Sequence, residues 1–127
     1  MSIRPRPLSP HLQVYRPQVT SVLSFLHRGT GLLLVLGTLM ISFWVITLAL
    51  GHNIFAIYQT WLGSLIGKVL LVFWSFSLFY HWANGIRHLL WDIGWGYDID
   101  RVYMTGWIVV SVSVILTGLL WLSVVFV

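Results

Sequence analysis

No cysteine occurs among the 127 residues of this chain. Disulfides, iron–sulfur ligation and thiolate ligation of a haem are therefore excluded for this polypeptide. Charge is nearly as scarce: only 8% of the residues are Asp, Glu, Lys or Arg, and three of those are acids, against 58% hydrophobic residues. Such a balance cannot cover a soluble globule and marks an integral membrane protein. The ten-residue apolar/polar alternation of an outer-membrane barrel is also missing, so the spans must be helical. Repeats, low-complexity tracts and internal boundaries are absent, which predicts one membrane domain over residues 1–127. Without a soluble domain, the net charge of +4 does not point to a nucleic-acid partner.

Three stretches reach the roughly 20 apolar residues that a helical crossing needs. They run over about residues 22–50, 62–91 and 104–127, behind a leader at 1–21. Pro5, Pro7, Pro10 and Pro17 keep that leader extended, with room for one short helix between the last two. It does not read as a cleaved export signal. The apolar run behind it far exceeds the roughly 7–15 residues of a signal core, and no A-x-A site follows. It is also too short and serine-poor for a mitochondrial transit peptide.

Arginine placement sets the expected orientation. Arg4, Arg6 and Arg16 precede the first span and Arg28 lies near its entrance, whereas the connection from Gly51 to Trp61 has no Lys or Arg. Arg101 lies in the loop from Asp92 to Tyr103. The positive-inside rule puts the N-terminus and that loop inside, and the Gly51–Trp61 connection and the C-terminus outside.

Polar groups inside the apolar segments carry the chemistry. An ionisable side chain at membrane depth costs roughly 2.5–3.5 kcal/mol on insertion scales, so such groups mark function. One cluster is Ser24, His27 and Arg28; the other is His81, Arg87, His88 and Asp92. In the expected topology both lie toward the inner face. A step of about 100° per residue groups Ser77, His81, Gly85, His88 and Asp92 on one stripe of the second span, and Ser24, Arg28 and Gly31 on one face of the first.

An imidazole in mid-membrane, such as His81, either bonds a neighbouring helix or ligates a metal, and both readings stand on spacing alone. Haem iron is the metal that suits an apolar slot between helices. Gly85, one turn on, would let a flat macrocycle or a backbone come close. His27, Arg28, Arg87 and His88 lie at a depth suited to haem propionates or, for Arg87, a lipid phosphate. Only His81 qualifies as an inward, mid-depth ligand, so a second histidine ligand would have to come from another subunit. His11 and His52 read as interfacial or solvated.

In combination these residues resemble a known family. The leader RPLSPHLQVYRP, the pattern S-x-x-H-R-x-T-G at Ser24, His27, Arg28, Thr30 and Gly31, and H-x-x-x-G-x-R-H-x-x-x-D from His81 to Asp92 look like the cytochrome b subunit that anchors succinate dehydrogenase, respiratory complex II. The resemblance covers essentially the whole chain. It implies haem b with His81 as one axial ligand, the other coming from a second small membrane anchor with which this chain forms a bundle. It also implies that Ser24 and Arg28 line the ubiquinone pocket and that His27 and Arg28, with His88, hold the haem propionates. Asp92 would orient Arg28 or relay protons, or is simply a surface acid at a helix end.

The implied partners are the second anchor, an iron–sulfur subunit, a flavoprotein subunit, ubiquinone and membrane lipid. The implied location is a bacterial cell inner membrane or the mitochondrial inner membrane. On this reading the chain is not an enzyme alone but a subunit of one. A quinol:fumarate reductase anchor and a haem-free structural anchor are the alternatives.

The rest reads as packing. Gly106, Ser113 and Thr117 form a small-residue seam on the third span. Trp61, Trp91, Trp95 and Trp107 sit near span ends, where indoles favour the interface. Trp74 and Trp82 lie deeper, as partner or haem contacts, and Lys68 can snorkel.

Overall fold

No proline follows Pro17, and an apolar chain in lipid satisfies its backbone most simply as uninterrupted helix. A computed structural model describes residues 16–126 and contains α1 (Val19–Leu50), α2 (His52–Gly63), α3 (Leu65–Asp92) and α4 (Ile99–Phe126). His11 and the expected short helix between Pro10 and Pro17 lie outside the described residues. Helices α1, α3 and α4 are each long and apolar enough to cross a membrane. The expected all-α membrane architecture with three spans is therefore found, with α1 and α4 starting earlier and α3 later than the hydropathy suggested.

The 32 residues of α1 extend about 48 Å, well beyond a hydrocarbon core of about 30 Å. Such a helix must tilt or project.

The connection expected from Gly51 to Trp61 is a helix instead. Gly51 ends α1 at φ 110°, a backbone conformation that side chains disfavour. Beyond it Phe55, Tyr58 and Leu62 recur at helical spacing and form the half-buried face of α2. Tyr58 meets Phe43 edge-on at 5.2 Å and donates its hydroxyl to the Met40 carbonyl at 3.0 Å. Ser64 then starts α3, its Oγ accepting from the Gly67 amide at 3.2 Å.

Central to the bundle, α3 packs on both α1 and α4. Leu23, Tyr80 and Val109 form its buried apolar core. The Tyr80 hydroxyl donates to the Leu23 carbonyl at 2.9 Å, so a phenol that would be costly to bury is satisfied. On α4 the seam of Gly106, Ser113 and Thr117 is buried as expected, and Val102 and Val109 complete it. A side chain on Gly106 would overlap the Leu23 methyl, which explains the glycine there.

The α3–α4 turn is built tightly. Gly94, at φ 83°, lets its amide reach the Trp91 carbonyl at 2.8 Å while the Trp95 amide reaches that of Leu90 at 3.0 Å. This paired pattern is a Schellman stop. Trp91 Nε1 donates to the Gly96 carbonyl at 3.3 Å and the Tyr97 hydroxyl to the Trp91 carbonyl at 2.7 Å, closing the loop on itself.

Candidate functional site

At the end of the bundle that carries the α3–α4 turn, three histidines converge. His27 on α1 and His81 on α3 stack with ring centroids 4.0 Å apart and planes 10° from parallel. His88, two turns along α3, tilts against the other side of this pair, 5.0 Å from the His27 ring. The two sequence clusters thus meet in space. Close approach depends on Gly31, where a Cβ would stand 3.1 Å from His81 Cε1. Gly85 faces open space, with nothing within 4 Å of where a Cβ would stand.

The surroundings of His81 fix the roles of its two nitrogens. Nδ1 lies 3.1 Å from the His27 carbonyl oxygen and 3.4 Å from Thr30 Oγ1. Thr30 has one proton to give, and backbone carbonyls stand at 2.8 Å (Leu26) and 3.0 Å (His27) to accept it. Its oxygen is then free to accept from the imidazole. With two acceptors at Nδ1, the proton of the neutral ring resides there and the lone pair resides on Nε2. A backbone carbonyl fixing one nitrogen while the other is left to bind is the arrangement that metal-ligating histidines commonly adopt.

His27 Nδ1 is buried and has no hydrogen-bond partner among the described residues. An orphaned buried imidazole nitrogen costs free energy unless, according to its tautomer, something accepts from it or donates to it. The donor set therefore fits a haem: a nitrogen lone pair on His81, and an unsatisfied imidazole nitrogen beside it for an anionic propionate. It does not fit a free metal ion. No group of three metal-binding side chains suited to one is present among the described residues, because the imidazoles meet by their faces.

Ser24 and Arg28 are exposed on α1 and lack hydrogen bonds among the described residues. They are open to whatever lies against that helix. Asp92 is exposed and makes no ion pair with Arg28; the ion pair present among the described residues joins Arg101 to Asp98 at 3.4 Å.

Arg87 departs from expectation. Instead of reaching toward lipid, it is buried against α4. Its Nε donates to Thr105 Oγ1 at 3.0 Å, one terminal nitrogen to the Val102 carbonyl at 2.8 Å, and the other approaches Asn84 Oδ1 at 3.4 Å. The guanidinium carbon lies 4.2 Å over the Trp91 ring, a cation–π contact worth about 0.5–2 kcal/mol. The face of α3 turned into the bundle is accordingly Ser77, Tyr80, Asn84 and Arg87, with His81 and His88 half-buried at its edge. Trp74 packs on Gly37, while Trp82 is exposed.

The sequence assigned no role to Thr30 or Tyr80, although Thr30 belongs to the first histidine motif and Tyr80 immediately precedes the second. A hydroxyl one helical turn from His27 was the available signal for Thr30.

Comparison with known proteins adds an independent line. The family model for the transmembrane subunit of succinate dehydrogenase/fumarate reductase matches residues 2–120. The succinate dehydrogenase cytochrome b556 subunit of Rickettsia prowazekii is 47% identical over 116 residues, spanning 91% of this chain and 90% of that protein. Its counterpart in Paracoccus denitrificans is 36% identical over 114 residues, covering 90% and 88%. The cytochrome b560 subunit of Reclinomonas americana is 35% identical over 126 residues, covering 92% and 85%.

Proposed function

This chain belongs to the succinate dehydrogenase/fumarate reductase transmembrane subunit family, and from that premise we propose that it binds haem b and helps form the ubiquinone-reduction site of a succinate:ubiquinone oxidoreductase. The observation that carries this reading is the environment of His81: Nδ1 faces the His27 carbonyl at 3.1 Å and Thr30 Oγ1 at 3.4 Å, which leaves Nε2 to bind iron. His81 would hold the haem iron from this subunit, and a second small anchor would supply the other ligand. His27, through its orphaned Nδ1, would hold a propionate together with Arg28, with the His88 ring beside it. Haem, when bound, supplies a one-electron store beside the quinone.

Ubiquinone reduction consumes two electrons and two protons. The electrons come from succinate through a flavoprotein and an iron–sulfur subunit, for which this cysteine-free chain has no ligands. Ser24 donates a hydrogen bond to a quinone carbonyl. Arg28 stabilises the negative charge that develops there, since a fixed donor in a dry site acts strongly. Asp92, exposed at the end of α3, would relay protons to the quinone. The arginine-rich end faces inside, where the soluble subunits dock, in a bacterial cell inner membrane or the mitochondrial inner membrane. Relatives named for succinate dehydrogenase favour this direction over fumarate reduction.

A reduced-minus-oxidised optical spectrum of the purified complex tests the reading. His81→Ala should abolish or strongly alter the low-spin haem bands; an unchanged spectrum and haem content in that variant would overturn it.

A further inference from the structure

Arg87 combines burial, charge and a direct line of contact to the proposed haem ligand. It is 5% exposed. The chain's three acids are Asp92, Asp98 and Asp100, and none pairs with it; Asp98 is engaged by Arg101. Thr105, Val102 and Asn84 offer only neutral oxygens, and Trp91 offers a π face. The guanidinium is thus held by dipoles while its charge stays uncancelled, and in a medium of low dielectric such a charge acts over distance.

The same residue anchors a column of rings. The guanidinium lies 4.2 Å over Trp91, Trp91 meets His88 edge-on at 5.0 Å, His88 lies 5.0 Å from His27, and His27 stacks on His81 at 4.0 Å. One end of the column is fastened to α4 through Thr105 and Val102, and the other end is the imidazole whose Nε2 is free. We propose that Arg87 is a positioning residue for the His81 imidazole, acting through Trp91, His88 and His27, and that its uncancelled charge raises the reduction potential of the haem held there. The proposal rests on His81 ligating haem. The positive charge favours the reduced iron, which carries one positive charge fewer than the oxidised form.

Two readouts on the haem-loaded complex separate the charge from the column: the midpoint potential from an optical redox titration, and the low-spin ferric electron paramagnetic resonance spectrum, which reports the orientation of the axial ring. Arg87→Gln removes the charge and loosens the clamp, so the potential should fall by about 59 mV, a tenfold change in a one-electron equilibrium, and the resonance spectrum should shift. Arg87→Lys keeps the charge but cannot bond Thr105 and Val102 while lying flat on Trp91; its potential should stay near the parental value while the spectrum shifts. Trp91→Leu should behave like Arg87→Lys.

Parental potential and spectrum in Arg87→Gln would overturn the proposal. Should that variant fail to assemble, parental spectra in both Arg87→Lys and Trp91→Leu would overturn it equally. Failure of the haem assignment shows separately, as a retained haem spectrum in His81→Ala.

Discussion

His81 Nδ1 stands 3.1 Å from the carbonyl oxygen of His27, so the nearer of the two acceptors that fix its proton belongs to the backbone of α1. A substitution at position 27 leaves that oxygen in place. His27→Ala should therefore retain haem, measured as the haem-to-flavin ratio of the purified complex, whereas His81→Ala should lose it. Equal loss in both variants would show that the His27 ring, and not its carbonyl, keeps His81 competent.

The exposed pair on α1 separates quinone chemistry from scaffolding. Ser24→Ala removes one hydroxyl and leaves the core untouched, because Ser24 is exposed. Succinate oxidation with an artificial acceptor drawing from the flavin or iron–sulfur subunit should persist, while ubiquinone reduction falls about ten- to a hundredfold. This is the cost of a lost hydrogen bond to a developing charge, roughly 1.5–3 kcal/mol. A normally assembled Ser24→Ala complex with both activities at parental level would rule out this role.

Gly37 accommodates the indole of Trp74, whose ring occupies the space of a missing Cβ. Gly37→Ala should lower the stability of the complex by about 1–3 kcal/mol through overpacking, seen as a lower melting temperature in detergent. Adding Trp74→Leu should restore part of the loss, because the two sites share one volume. A purely additive double mutant would contradict the packing argument.

Because the chain has no cysteine, single cysteines report topology without background. Asp100→Cys in the first turn of α4 and Asn53→Cys in the first turn of α2, both exposed, should be labelled by an impermeant maleimide from opposite sides, with residue 100 reached from the inside. Labelling of residue 100 from the outside would reverse the orientation.

Much of this architecture was legible in the sequence, and the reasons differ by residue. Long apolar runs announce α1, α3 and α4 because lipid leaves the backbone no other solution. The α4 seam was readable because Gly106, Ser113 and Thr117 are small at helical spacing. Helix α2 was not, since its apolar face of Phe55, Tyr58 and Leu62 is short and set among interfacial residues that a hydropathy window averages away. The face of α3 that meets α4 was not read from the sequence either. Residues 87 and 88 are both basic and differ by about 100° around the helix, so periodicity admits a stripe through either. Which of them meets α4 is decided by the Thr105 hydroxyl and Val102 carbonyl that receive Arg87, and those are tertiary facts. Likewise the close approach of Gly31 to His81 is a fact of packing between two helices that spacing along either one does not reveal.

The hydroxyls buried between the helices have a consequence for how such a sequence can drift. Ser77 donates to the Phe73 carbonyl at 2.7 Å, Ser113 to that of Val109 at 2.6 Å and Thr117 to that of Ser113 at 2.7 Å, each within its own helix. None of these three bonds crosses to a neighbour, so what the packing requires there is small volume and not polarity. Exchange of serine for alanine or glycine at these positions is nearly silent for helix association, whereas a single added branch is not. Divergent members of the family are thus free to trade hydroxyl for methyl along this face while holding the interhelical spacing fixed.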